Sequence, residues 1–516
     1  MSSISNKPTT RGPPPHEGTA LLPHNSGPSS APHHHPIIPP PSVNSWNAFF
    51  FDRRQTPGRD SDRLAIRICA SLWHVTKVTL LSNYVNLLLV TVPLGIVAGV
   101  LAWSPVVVFT LNFLAIIPLA AVLSFATEEI AAKLGQALGG LLSATFGNAV
   151  ELIVSIVALK DGQIEVVQSS MLGSILSNLL LVMGTCFLLG GLRHRGSTGH
   201  GTEQEFAQAA AQTTCSLMTL SSASLVLPAA LYAVMDKNGS HGKKMQHSIL
   251  VLSHGTAVLL LLLYIVYLTF QLRTHSNLFE AEGQNGVAGQ SGLAHDGQAY
   301  NGQAHNGQAH NGHTHNGEAH NGQTQNHTTL NMTNHTTDEH DDDDDDDNDP
   351  EIGPISASAV LIVTTVLVAI CAQYLVGSID AIVATQNISK TFIGLILIPI
   401  VGNAAEHVTA VVVAMEDKMD LAMGVAIGSS IQIALGLTPF LVIVGWIIGQ
   451  PMSLHFETFA TVAFAISVLV STYVIQDGKS NYLEGAMLLG LYVIIAVAFF
   501  VTPGDALQKL SAVIGA

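Results

Sequence analysis

Gly147-Asn148-Ala149-Val150-Glu151 and Gly402-Asn403-Ala404-Ala405-Glu406-His407 are the two stretches that decide how this chain folds. They superimpose without a gap at an offset of 255 residues, and the register holds around them: Gly139 meets Gly394, and Gly173-Ser174 meets Gly428-Ser429. Each copy carries a glutamate inside an otherwise apolar run. A charged side chain at the centre of a bilayer costs roughly 2.5–3.5 kcal/mol on insertion scales. Two of them at matched positions of an internal repeat therefore need a reason. On a helix Asn148 and Glu151 are three apart and share a face, as do Asn403 and Glu406. The glycine before each asparagine permits an interruption of the helix or a close backbone approach.

The runs that surround these motifs read as membrane spans. Only 11% of the 516 residues are Asp, Glu, Lys or Arg, and 48% are hydrophobic. About 25% charged residues is usual for a soluble domain. About 20 mainly apolar residues cross a bilayer as a helix. Candidate spans lie near 82–103, 106–126, 138–160, 167–191, 212–235, 247–271, 355–377, 391–415, 420–448, 456–475 and 484–502, eleven in all. The chain divides into a tail (1–63), a first membrane half (64–272), a linker (273–353), a second membrane half (354–505) and a short C-terminal tail (506–516). The first 60 residues hold 12 of the 22 prolines and cannot bury a core. They include Glu17-Gly-Thr-Ala-Leu21-Leu22, which has the form of a dileucine sorting signal. The linker contains six His/Asn/Gly-rich pentads from Asp296 onward, then the run Asp341 to Asp347, and its composition is that of a tether.

The net charge of −16 is concentrated, since 11 of the 36 acidic residues lie between Asp338 and Glu351. The remaining 25 acidic residues face 20 basic ones, which excludes a nucleic-acid binder driven by a basic face. The four cysteines show neither a disulfide framework nor zinc-ligand spacing. Arg53, Arg54, Arg59, Arg63, Arg67 and Lys77 crowd the stretch before the first span, which puts the N-terminus in the cytosol, and with it the linker. Lys243 and Lys244 fall on the far side and count against that orientation. Glu151 and Glu406 lie in the third and eighth spans. An odd separation means the two spans cross in opposite directions, the mark of inverted repeats whose interface near the midplane forms the substrate site.

The side chains available there offer oxygen. Carboxylates come from Glu151 and Glu406, amides from Asn148, Asn403 and Gln432, hydroxyls from Ser174, Ser177, Ser429 and Ser430. Such a set suits a hard divalent cation such as Ca²⁺, although Ser and Gln also join membrane helices by hydrogen bonds alone. His407 has Leu152 as its counterpart. It is read either as a group that moves a proton or tunes Glu406, or as a polar residue hydrogen-bonded inside the bundle.

Ser143-Ala-Thr-Phe-Gly-Asn-Ala-Val-Glu151 and Ile400-Val-Gly-Asn-Ala-Ala-Glu-His407 resemble the two signature repeats of the cation/proton exchanger family. The segments Gln168 to Asn178 and Gly424 to Pro439 are similar to those of its fungal vacuolar members. The resemblance spans roughly 64–505 outside the linker. It implies an all-α polytopic membrane protein of about eleven helices, one N-terminal helix plus two inverted five-helix repeats. It also implies a vacuolar exchanger that moves Ca²⁺ out of the cytosol against protons, with Glu151, Asn148, Glu406 and Asn403 at the ion site. The acidic stretch between the halves matches the family, whereas the His/Asn-Gly pentads depart from it.

No Gly-x-x-x-x-Gly-Lys-Ser/Thr loop or catalytic constellation accompanies these motifs, so neither a pump with its own nucleotide site nor an enzyme is expected. Ala149 and Ala404 stand where hydroxyl residues would serve Na⁺ in sodium/calcium exchangers. The alternatives that stay open are exchange of Mn²⁺ or another divalent cation, and a passive cation channel. The partners implied are Ca²⁺, protons and the lipid bilayer, with no resident cofactor. Homo-oligomers are compatible with the sequence.

Overall fold

The computed structural model describes residues 50–53, 56–59, 61–194, 203–237, 243–275, 351–386 and 388–501. The dileucine-like motif, the pentads and the acidic run lie outside these residues. The described chain is almost wholly helical: α1 (Leu64–Leu81), α2 (Thr91–Val100), α3 (Pro105–Phe146), α4 (Ala149–Lys160), α5 (Ile164–Arg193), α6 (Gln208–Lys237) and α7 (Lys243–Thr269) precede the linker. After it come α8 (Pro354–Gln386), α9 (Lys390–Gly402), α10 (Ala404–Met415), α11 (Met419–Ile448), α12 (Thr458–Ile475) and α13 (Tyr482–Val501). Two-residue strands at Gln204–Glu205 and Lys479–Ser480 pair antiparallel and tie the loop after α5 to the loop before α13.

Nine of the described helices are long and apolar enough to cross a bilayer, or eleven when two bent pairs each count as one span. The bent pairs are the end of α3 with α4, at 45°, and α9 with α10, at 57°. They hold the two glutamate motifs. Both bends fall at the asparagine of the motif, where the backbone leaves helical geometry (Asn148 φ −99°, ψ 24°; Asn403 φ −83°, ψ 3°).

The repeat seen in the sequence recurs in the backbone. Helices α4 and α10 have the same 12-residue length and start at residues 255 apart. Helices α5 and α11 are both 30 residues long and also start 255 apart, and within each the hydrogen-bond ladder widens to a π-turn at nearly the matching place, Ser177–Val182 and Ile433–Leu437. A π-turn inserted in a helix often marks a functional site. At Gly135, whose counterpart is the first residue of α9, the long helix α3 breaks with φ 75°, a conformation open to glycine at little cost.

The first span differs in detail from the sequence expectation. Residues 82–103 form a 3₁₀ segment, Tyr84–Val90, running into α2. Pro93 in the first turn of α2 lacks the N–H an upstream α-helical ladder would need, and the Asn83 side chain caps the 3₁₀ segment instead. At about 2.0 Å per 3₁₀ residue and about 1.5 Å per α residue the piece still reaches roughly 29 Å. Helix α1 stands in addition to it, in the stretch read above only as basic.

One continuous core joins the halves, with α3 and α8 packed along each other and α5 set against α9. The α5–α9 contact is backbone-close because of glycines. A Cβ on Gly173 would run into the Leu395 carbonyl, and one on Gly394 into the Ser169 hydroxyl. Gly173→Val should therefore destabilise the protein by about 1–3 kcal/mol through overpacking. Gly490→Ala, at a position with open space around it, should be near neutral. Thermal unfolding of the two variants in detergent checks the contrast.

Candidate cation site

The two bends bring the N-termini of α4 and α10 toward each other from opposite repeats. Glu151 and Glu406 sit in the first turns of these helices, where the positive end of the helix dipole favours a carboxylate. Their placement is reciprocal. The Glu151 carboxylate lies against Gly402, and Glu406 Oε1 is 3.5 Å from the position a Cβ on Gly147 would take. Each acid thus rests on the glycine of the other repeat's motif. These glycines serve close approach, since neither has a positive φ. A side chain at 402 would occupy the space of the Glu151 carboxyl group.

A hydrogen-bonded chain holds the ring together. The Asn148 amide donates to Gln432 Oε1 at 2.9 Å, the Ser429 hydroxyl donates to Asn148 Oδ1 at 2.9 Å, and the Asn178 amide donates to Ser429 Oγ at 3.0 Å. On the other side Asn403 donates to the Ser174 carbonyl at 3.2 Å. With donors spent in this way, acceptors are left facing inward. Glu151 Oε2, Glu406 Oε2, Asn178 Oδ1, Asn403 Oδ1 and the hydroxyls of Ser174 and Ser177 are buried and make no hydrogen bond within the protein. An unsatisfied buried polar group costs about 1–3 kcal/mol. A cluster of them drawn from both repeats fits a cation that accepts oxygen ligands or protons that neutralise the acids. Among the described residues no group of three or more His, Cys, Asp or Glu is arranged to hold a metal ion. Any cation held here would depend on two carboxylates supplemented by amides and hydroxyls.

The structure therefore brings together Glu151, Glu406, Asn148, Asn403, Ser174, Ser429 and Gln432. His407 stands apart: its Nε2 reaches the Thr185 hydroxyl on α5 at 3.4 Å. Ser430 turns away as well, donating to the Ala426 carbonyl of its own helix. Asn178 was missed by sequence reasoning. Its counterpart at the repeat offset is Ile433, so the repeat does not flag it; the only signal was a polar residue inside an apolar run.

The two approaches to the ring are unlike. On one side Phe113, Ile116, Val154, Leu375 and Ile398 form an apolar lining beside Glu151. At the end of α4 on that side, polar contacts join the repeats. Lys390 Nζ lies 2.6 Å from Asp380 and 2.9 Å from Gln163, Gln163 donates to Asp380 at 2.8 Å, and Gln373 donates to Asp161 at 3.1 Å. Toward the opposite face a small recess beside Asp420, Thr214 and Gln271 reaches Gly428, next to Ser429.

The comparisons agree with this architecture. Residues 104–273 and 356–501 match the sodium/calcium exchanger protein family. The chain belongs to that family. It is 44% identical over 468 residues to a vacuolar calcium ion transporter of Schizosaccharomyces pombe, covering 90% of this chain and 97% of the relative. A Ca(2+)/H(+) antiporter of Aphanothece halophytica is 39% identical over 424 residues, covering 81% and 96%. The solved structure of native YfkE superposes with a TM-score of 0.59 at 30% identity, over 81% of this chain and all of that one.

Ser429→Ala tests the ring without touching a carboxylate. It strands the Asn148 carbonyl oxygen and the Asn178 amide, at an expected stability loss of about 1–3 kcal/mol. Thermal melts should show it, and Ser429→Cys should lose less than alanine if a donor at that place is what matters.

Proposed function

We propose that the protein is a secondary active antiporter that moves Ca²⁺ from the cytosol into the vacuole in exchange for protons, by alternating access at the Glu151–Glu406 pair. The observation that carries this reading is the reciprocal seating of two buried acids from antiparallel repeats within a ring of oxygen atoms. Two carboxylates neutralise one divalent ion, and all the remaining ligands are hard oxygens. The vacuolar setting rests on the name of the Schizosaccharomyces pombe relative, and both relatives are named as a transporter or an antiporter. No resident cofactor is needed, since Ca²⁺ and H⁺ are cargo.

The Oε2 atoms of both acids are buried, but the helices that carry them differ in how much of their surface the protein covers. In α4 the positions Ala149, Val150, Glu151, Val154 and Ala158 are buried. Their counterparts in α10 are half-buried or exposed, Glu406 among them. Helix α4 leads to the face where Lys390 pairs with Asp380, and α10 to the face of the paired strands. On the charge asymmetry of the N-terminal segment, the second face is cytosolic.

The energetics suit two protons. A thousandfold Ca²⁺ gradient needs about 4.1 kcal/mol before any membrane potential. Two protons moving down about two pH units release roughly 5.4 kcal/mol, and one releases too little. In the cycle, Ca²⁺ enters from the cytosol and displaces protons from the pair. On the acidic side the carboxylates take protons and release the ion. They return neutral, because two bare charges at mid-membrane are costly.

The test is uptake into sealed vesicles with an imposed pH gradient. Glu151→Gln and Glu406→Gln should each lower Ca²⁺ uptake by about tenfold or more, a charged-ligand loss of ~1.5–3 kcal/mol. Wild-type uptake by either folded variant would refute the site.

The pH dependence has a definite sign. Bound Ca²⁺ requires ionised carboxylates, so protons compete, and apparent Ca²⁺ affinity should fall as pH drops on the binding side. Collapsing the pH gradient should stop accumulation, and a Na⁺ gradient should not replace it. A Ca²⁺ binding isotherm that does not move with pH would contradict a shared site.

A further inference from the structure

Helix α1 passes every length and hydropathy test for a membrane span, yet its contacts are those of a helix lying along one face. An 18-residue helix is about 27 Å long, so a spanning α1 would carry its middle to mid-depth. Its middle is instead fastened at a surface. His74 Nε2 lies 3.3 Å from the Glu351 carbonyl oxygen, and Glu351 precedes the first turn of α8. Four residues on, Val78 packs with Ile352 and Ala357 at that same end of α8. The Glu129 carboxylate, near the break of α3, accepts the Ile352 amide at 3.0 Å and marks the same level. The chain before the helix returns there too. Thr56 Oγ1 is 2.9 Å from His74 Nδ1, and Arg53 pairs with Glu351 at 2.8 Å.

The polarity of α1 is reversed relative to a helix on a water-soluble protein. His74 and Lys77 are 3% and 2% exposed, turned toward the protein, while Leu64 and Leu72 are 61% and 64% exposed. Ile68 and Leu80 also face outward, and Tyr84, just past the helix, is fully exposed. Arg63 and Arg67 are exposed at the N-terminal end of α1. An outward apolar face with arginines beside it, at the level where spanning helices end, matches one environment, the boundary between acyl chains and headgroups. Tyrosine is favoured at the same depth.

We infer that α1 is an interfacial helix docked on the lipid bilayer, with Ile68, Leu72 and Leu80 in the acyl region and Arg63 and Arg67 at lipid phosphates, not a transmembrane span. The crossing counted first is then the Tyr84–Val100 piece. This holds whatever ion the protein exchanges. Through His74, Arg53 and Glu351 the helix also joins the lipid surface to the start of α8, the helix that packs along α3.

The native cysteines make the test direct. Cys69 is exposed on α1, whereas Cys186, Cys215 and Cys371 are buried. A thiol-reactive fluorophore should therefore label the folded full chain at Cys69. A second sample, Cys69→Ser with Leu80→Cys, places the label 11 residues further along, a separation of about 16 Å on the helix axis. Both are reconstituted in phosphatidylcholine/phosphatidylserine vesicles containing lipids spin-labelled either near the headgroup or near the chain end. An interfacial helix gives strong quenching from the headgroup-proximal label and the same shallow depth at both positions. Depths differing by about the full axial separation would show a span and overturn the inference. Quenching by aqueous iodide without lipid quenching, or by neither, would place the face in water or under protein and overturn it as well. In Arg63→Gln/Arg67→Gln protein, lipid quenching at Cys69 should weaken; an unchanged value would remove the phosphate contacts from the proposal.

Discussion

Two acids held within a membrane are tolerable only if each has somewhere to place its charge, and the rest of the structure follows from that constraint. Glu151 and Glu406 are seated on the glycines of each other's motif, and each stands in the first turn of a helix whose N-terminus opens toward the ring. That geometry requires both membrane helices to break at mid-course. It requires a residue without a side chain at 147 and 402. It also requires the two repeats to run in opposite directions, since only then do two helix N-termini meet from opposite faces.

The surrounding packing serves this meeting. Helix α5 approaches α9 closely through Gly173 and Gly394, and the π-turns of α5 and α11 widen the helices beside the ring. Amide and hydroxyl side chains then link the repeats across the site, Asn148 to Gln432 and Ser429, Asn178 to Ser429. Backbone carbonyls and side-chain amides take up the donors. The carboxylate and hydroxyl oxygens keep free lone pairs, which is what a hard cation uses.

Pseudo-symmetry is carried by the backbone, and its departures are in the environment. Helices α4 and α10 are the same length and start at equivalent residues, yet α4 is buried where α10 is half-exposed. The polar network of Lys390, Asp380, Gln163, Gln373 and Asp161 joins the repeats at one mouth, and a different set joins them at the other, Gln204 with the Ala414 carbonyl and Asp417, the Ala207 amide with Asp420, and His194 with the Met415 carbonyl. At the repeat offset Lys390, Asp380 and Gln373 correspond to the uncharged Gly135, Phe125 and Pro118, whereas Asp161 and Gln163 correspond to Glu416 and Lys418, which pair at 3.0 Å. A repeat with identical chemistry at both ends would have no means of preferring one face.

Much of this was legible in the chain itself. The matched Gly-Asn-x-x-Glu motifs, their offset and the alternation of apolar runs determine an inverted-repeat membrane protein and most of the residues that meet at the candidate site, because burial of charge and helix length are local costs that any sequence must declare. The identity of Asn178 as a ring member and the turn of His407 toward Thr185 were decided by the tertiary structure, since both depend on which helix faces which. So did the fate of the N-terminal stretch. Hydropathy cannot distinguish a helix that crosses from one that lies flat, because both need an apolar face. Only the contacts of His74 and Val78 with residues 351–357 assign α1 its level, and those residues lie at the far end of the linker and the start of α8, nearly 300 positions away from Arg53.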